Sequence, residues 1–199
     1  MKKFELTAES KINIFGKKLF RIKALISFGD VEEGETGGWI EKEENLEQSS
    51  GNAWVYGNAE VYGNAWVYGN AEVYGNARVY GNAWVSGNAR VSGDAEVSGN
   101  AWVYGNVEVY GNARVSGNAE VSGNADYTTI HGFGTQFRTT TFFQCEDKQI
   151  RVSCGCFLGT IPEFREQVKN TREGKIAEEY LMIADLMEKH FVKEKESGE

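Results

Sequence analysis

From Gly51 to Ala125 apolar and polar positions alternate under a fixed period of six, and the unit Gly-Asn-Ala-x-Val-Tyr/Ser recurs with almost no drift. Valine stands at 55 and at every sixth residue to 121, with Ala, or Val107 once, two residues before it. Strand alternation puts both on one inner face, while the residue between them points outward. Each unit therefore offers one medium and one small apolar group. Burying a valine contributes about 1.5–3 kcal/mol, against about 1–2 kcal/mol for ordering each residue. A single unit cannot hold itself, so the pattern predicts a stack of short strands covering one another. Gly and Asn enter the left-handed region at least cost, which suits a corner at every sixth residue.

The flanks carry other periods. Phe20, Ile22, Ala24, Ile26 and Phe28 alternate with Arg21, Lys23, Leu25 and Ser27, and Ile12 and Ile14 alternate likewise around Gly16-Lys17-Lys18. This predicts strands and a hairpin over 3–28, capping the open edge of a solenoid. Residues 29–37 read as a loop. Gly38-Trp39-Ile40 matches Ala53-Trp54-Val55, and Leu46 lies nine residues before Val55. Residues 38–50 thus read as an irregular first coil, bulged near Gln48-Ser49-Ser50. After Asp126 a hairpin is predicted over Gln136–Cys145 and Gln149–Phe157. Thr160-Ile-Pro-Glu163 has the form of a capping box, opening a helix to about Lys169. A second helix runs from about Glu173 to Lys193, with Ile176, Tyr180, Ile183, Met187 and Phe191 on one stripe. The domains predicted are an N-terminal β cap over 1–37, a solenoid over 38–126, and a β-hairpin with two helices over 127–199. The helical pair would close the solenoid's end or make a contact between copies.

Rewritten Val-x-Gly-Asn-Ala-x, the unit resembles the hexapeptide repeat of left-handed parallel β-helices. The resemblance implies a mainly β fold with three hexads, eighteen residues, per coil, and a left hand against the usual crossover rule. The order Leu-Phe-Arg-Ile-Lys-Ala (19–24), Gly-Gly-Trp-Ile (37–40) and Cys-Gly-Cys-Phe (154–157) is also similar to uncharacterised hexapeptide-repeat proteins carried by phages and prophages. An eighteen-residue coil stacks the outward residues in columns about 4.7–4.9 Å per rung. One column reads Trp66, Trp84, Trp102, Glu120; a second Glu60, Arg78, Glu96, Arg114; a third Trp54, Glu72, Arg90, Glu108, Asp126. Alternating charges fix register, since a shift by one hexad would mix the columns.

Charge and cysteine content then narrow the function. A net charge of −8 argues against nucleic acid as partner. No signal peptide and no run long enough to span a membrane are read, and three Cys, an odd number, fit a reducing cytoplasm. Hexapeptide acyltransferases, which the coil resembles, use a histidine near a coil loop as general base. Here His131 and His190 both follow the repeats, and no loop protrudes from the coils, so transfer chemistry ranks third and no catalytic residue is assigned. Cys145, Cys154 and Cys156 with His131 invite a zinc reading, yet Cys-x-Cys is not the usual ligand pair. Packing of Val152, Cys154 and Cys156 on one strand face is the simpler account, and neither a metal nor a cofactor is expected.

The tryptophan column is the expected site. Trp66, Trp84 and Trp102, with Tyr68, Ser86 and Tyr104 two residues on, form an aromatic strip suited to an interface, and Trp54 of the third column is counted among the interface residues. Its alternative is a self-stacking ladder. The expected function is a non-enzymatic, cytoplasmic interaction protein that presents this face to a protein partner. Homo-oligomers are expected, with a trimer favoured by the β-helix resemblance. The phage resemblance points to a host protein, with inhibition of a defence system as one form. The second reading is a nucleotide or sugar binder, or sponge, with Arg78, Arg90 or Arg138 as ligand contacts. Ice binding fits poorly, because the outward rows are not threonine.

Overall fold

The computed structural model describes residues 2–191, and the chain divides after Asn124 into two compact units. In the first, β1 (Phe4–Ile12) and β2 (Lys18–Ala24) form an antiparallel hairpin, and β3 (Thr36–Ile40) runs antiparallel to β2. Among the described residues, twelve two-residue strands follow, from β4 (Trp54–Val55) every six residues to β15 (Glu120–Val121). They stack in three parallel walls: β3-β5-β8-β11-β14, β4-β7-β10-β13 and β6-β9-β12-β15. Partners are eighteen residues apart, as in Trp66 with Trp84 and Val67 with Val85. The fold is thus a parallel β-solenoid with three strands per coil.

Backbone hydrogen bonding follows the same register. Trp66 N donates to Ala83 O at 2.9 Å, Tyr68 N to Val85 O at 3.0 Å and Asn70 N to Gly87 O at 2.8 Å, so polar groups of both wall and corner are satisfied. Every repeat valine and nearly every repeat alanine is fully buried, Val107 included. At the corners from Gly51 to Gly117, φ lies between +58° and +76° on glycine, but Asn stays out of the left-handed region. Asparagine instead forms ladders: Asn64, Asn82, Asn100 and Asn118 hydrogen-bond in succession at 3.0–3.2 Å, and Asn70, Asn88 and Asn106 at 2.8–3.1 Å.

The first coil is longer. Trp39 pairs with Glu60 and Leu46 with Val67, a step of twenty-one. The extra residues bring Gln48 back to the chain's start, where its Oε1 accepts from Lys3 N and Phe4 N at 2.9 and 3.2 Å and its Nε2 donates to Phe4 O at 2.9 Å. Part of the predicted 29–37 loop is strand, because β3 offers one edge to β2 and the other to β5. The hairpin therefore extends one solenoid wall and belongs to the same unit as the coils. Asp126, expected to end the Trp54 column, falls in the second unit, its carbonyl accepting from Gln144 N at 2.8 Å. The column stops at Glu108, whose amide donates to Asn124 Oδ1 at 3.0 Å in place of a further rung.

The second unit holds an antiparallel sheet of β16 (Tyr127–Phe133), β17 (Arg138–Gln144), β18 (Ile150–Cys154) and β19 (Phe157–Thr160). The predicted hairpin is β17 and β18. β16 replaces the decaying repeat, and a tight turn at Gly155-Cys156 adds β19. Helix α1 (Ile161–Thr171) opens on the predicted box: Glu163 N donates to Thr160 Oγ1 at 3.3 Å, and Thr160 N to the Glu163 carboxylate at 2.7 Å. Helix α2 (Gly174–Phe191) packs Tyr180, Ile183 and Met187 with Phe142, Val152, Phe164 and Val168. Its expected end at Lys193 lies outside the described residues.

Glycine requirements differ between corners. At Gly87 (φ +66°) an added Cβ would sit 2.9 Å from Gly105 N, whereas at Gly57 (φ +58°) it would meet nothing. Gly57→Ala is expected to lower stability by about 1–2 kcal/mol, the backbone term alone. Gly87→Ala should lose clearly more, because two coils must part. Urea midpoints of the two variants, compared at equal m-value, check this.

Candidate functional site

On the third wall the outward column is built as the register requires. Trp66 stacks on Tyr68 at 4.2 Å between ring centroids and meets Trp84 edge to face at 5.9 Å. Trp84 and Trp102 are stacked in parallel, with ring centroids 5.2 Å apart and 1° between their planes. Each ring is held by its neighbour, but the row is not closed off, since Trp84 is 38 % and Trp102 49 % exposed. Between the indole row and Tyr68, Ser86 and Tyr104 runs a shallow groove of about 210 Å³. Tyr104 Oη donates to Glu120 Oε1 at 3.0 Å, which fixes the groove's end.

Trp54 is not part of this strip. It lies on the second wall, is fully buried, and takes Phe28 and Phe4 edge-on at 5.4 and 6.1 Å. The cause is the N-terminal segment, which packs over this first rung and leaves no indole surface for a partner.

Of the three candidate arginines, the two in the first unit stand on different walls. Arg78, on the first wall, is ion-paired with Glu96 and half-buried. Arg90, on the second, lies between Glu72 at 3.0 Å and Glu108 at 3.7 Å. Arg138 belongs to β17 in the second unit. In the first two the alternating column pairs the guanidinium with carboxylates on neighbouring rungs.

A second aromatic cluster, which the hexad pattern does not predict, lies on the first wall. Tyr62 and Tyr80 stack in parallel at 5.1 Å, and Phe15 from the β1–β2 turn lies against them at 6.2 and 5.9 Å. Lys11 and Arg21 each sit 4.5 Å from the Trp39 ring centre, a favourable cation–π arrangement. Burial raises the Tyr62 phenol above its ordinary range, as the neighbouring Tyr80 also does. Here an outward aromatic column is covered by the chain's own hairpin. The one available signal was the repeated Tyr after Val in the column that begins at Trp39.

The cysteines do not share one strand face. Cys145 is buried, Cys154 ends β18 and accepts from Thr140 Oγ1 at 3.2 Å, and Cys156 is exposed in the turn because Gly155, at φ +62°, reverses the chain. No cluster of three metal-ligating side chains occurs among the described residues. His131 Nδ1 lies 3.3 Å from Thr139 Oγ1 on exposed β16, and His190 packs on Phe191.

Residues 53–69, 71–87, 83–99 and 109–123 match the family described as YdcK beta solenoid repeat. No curated protein matches the chain. The protein is a repeat β-solenoid protein. No helix among the described residues is long and apolar enough to cross a membrane.

Burial divides the tryptophans and the thiols alike. Trp54→Ala should cost about 3–5 kcal/mol, and Trp102→Ala, at the exposed end of the ladder, less than about 1.5 kcal/mol, both read from denaturant unfolding. Burial pushes the Cys145 thiol up to about 11, so at pH 8 nearly all of it is protonated and unreactive. Alkylation followed by mass spectrometry should label Cys156 first and Cys145 last, the latter speeding up as pH rises toward 11.

Proposed function

We propose that the protein is a non-catalytic binding protein whose third wall docks a protein partner. The observation that carries this reading is the parallel Trp84–Trp102 pair, rigidly stacked yet 38 % and 49 % exposed. Rings already fixed by their neighbours lose little freedom on binding. Several aromatics side by side approach the few hundred Å² at which exposed apolar surface marks an interface. The first wall supports the analogy, because there the same kind of column is used to hold a β-hairpin.

The reading takes the solenoid as a left-handed hexapeptide-repeat β-helix that acts in the cytoplasm and assembles into trimers. The similarity to phage and prophage proteins makes a host protein the partner to test first, including a component of a defence system. A nucleotide or sugar sponge is less well supported: the groove is smaller than the ~300–1,000 Å³ of ordinary ligand pockets, and Arg78 and Arg90 are engaged in ion pairs. Acyl transfer has little support, since His131 is on the second unit's sheet and His190 on its last helix.

The test is a Trp66→Ala, Trp84→Ala, Trp102→Ala triple variant whose circular dichroism matches wild type. Loss of the self-assembled mass in light scattering, or of a partner captured from the native host, is expected. Unchanged assembly together with unchanged capture would remove the interface.

A further inference from the structure

We propose that the second unit, independently of the aromatic wall, holds a site for a small organic anion, a phosphate or carboxylate carried on a single flat apolar ring. The site is the cleft where the β16–β17 loop, the β18–β19 turn and the last turns of α1 meet. It encloses about 110 Å³, several times the ~10–15 Å³ needed by one water.

Its lining joins two unlike surfaces. At the rim stand Arg138 and Arg172, and no carboxylate is among the lining residues described. The other arginines of this unit show the contrast: Arg151 is paired with Asp147 at 2.7 Å, and Arg165 with Asp185 and Glu188, both at 2.7 Å. Among the described residues neither Arg138 nor Arg172 has an ion-pair partner, and Arg172 donates to the carbonyl of its neighbour Thr171 at 2.9 Å. Two guanidiniums facing one cleft without a counter-charge suit an oxyanion, which accepts their forked N–H groups. The inner surface is aromatic. Phe157 and Tyr180 each pack on Phe164, at 5.5 and 5.8 Å, and the Tyr180 hydroxyl is already committed to Phe133 O at 3.2 Å. What Tyr180 offers a ligand is therefore its ring.

The loop that brings Arg138 to the rim has a second peculiarity. Phe137, immediately before it, has φ +48° and is 65 % exposed. A bulky side chain rarely adopts this conformation outside a tight turn. Phe137 closes the four-residue turn 134–137 that pairs Phe133 with Arg138, so this turn sets where Arg138 leaves the loop.

Full-length protein titrated with phenyl phosphate, benzoate and inorganic phosphate by calorimetry tests the site, with iodoacetamide alkylation of Cys156, which also lines the cleft, as a local reporter. Saturable binding of phenyl phosphate or benzoate is expected, tighter than inorganic phosphate, with slowed Cys156 alkylation; the better of the two aryl anions identifies the head group. Arg138→Gln with Arg172→Gln should weaken binding roughly tenfold or more, as loss of charge-assisted hydrogen bonds does. If the double variant loses its circular dichroism, the two single variants carry the same comparison. The proposal is overturned by no saturable binding of either aryl anion at millimolar concentration, by binding that leaves Cys156 unprotected, or by affinity unchanged in folded arginine variants. Equal affinity for inorganic phosphate and phenyl phosphate would overturn the role given to the aromatic floor.

Discussion

The hydrogen bond from each wall amide to a carbonyl one coil further on is the constraint from which the rest of the first unit follows. It recurs with a span of eighteen residues from the outward position to its stacked partner, as in Glu72, Arg90 and Glu108. Strands of two residues bury too little to persist alone. Stacked, they satisfy one another's backbone and bury Ala and Val in a continuous bore. That register demands a corner that turns at a fixed place in each hexad, and glycine at positive φ supplies it. Coils then approach so closely that at most corners glycine lies against glycine.

Once register is set, outward chemistry is a matter of columns. Alternating Glu and Arg neutralise each other along the first and second walls, through Arg78 with Glu96 and Arg90 with Glu72 and Glu108. Exposed pairs contribute little each, but a slipped hexad would set tryptophan against charge. Asparagine works in the same direction, its side-chain amides bonding from coil to coil at the corners. Uniform inner residues make every register nearly equal inside, so discrimination has to come from the outer columns. The third wall is the exception, where three tryptophans replace charge with stacked rings and leave an apolar surface in the open.

The two aromatic columns show how one repeat yields different surfaces. On the first wall, Trp39, Tyr62 and Tyr80 are covered by the β1–β2 hairpin, with Lys11 and Arg21 at the Trp39 ring. On the third, no equivalent hairpin is present among the described residues of that unit. The second unit relies on other physics: an antiparallel sheet, a capped helix and a mixed aromatic core, with charge pairing of Arg151 and Arg165 but, among the described residues, not of Arg138 and Arg172.

Much of this was legible in the sequence, because short-period patterns report local geometry. The hexad, the eighteen-residue columns, the three-residue excess before Trp54, the capping box at Thr160 and Glu163, and the stripe on α2 depend on neighbours at fixed spacing, and all are present. What required the tertiary structure were contacts between segments with no common period. Trp54 matches the other tryptophans in sequence, yet Phe4 and Phe28, far from it along the chain, bury it. Asparagine's part at the corners is not local, because its partner lies eighteen residues away rather than in its own turn. β16 and the Gly155-Cys156 turn lacked a pattern because a sheet strand takes its place from pairing, and the cleft between Arg138 and Arg172 exists because a loop and a helix end converge. The repeat alone dictates that the chain winds and stacks; folding decides which of its equivalent positions are covered and which stay open.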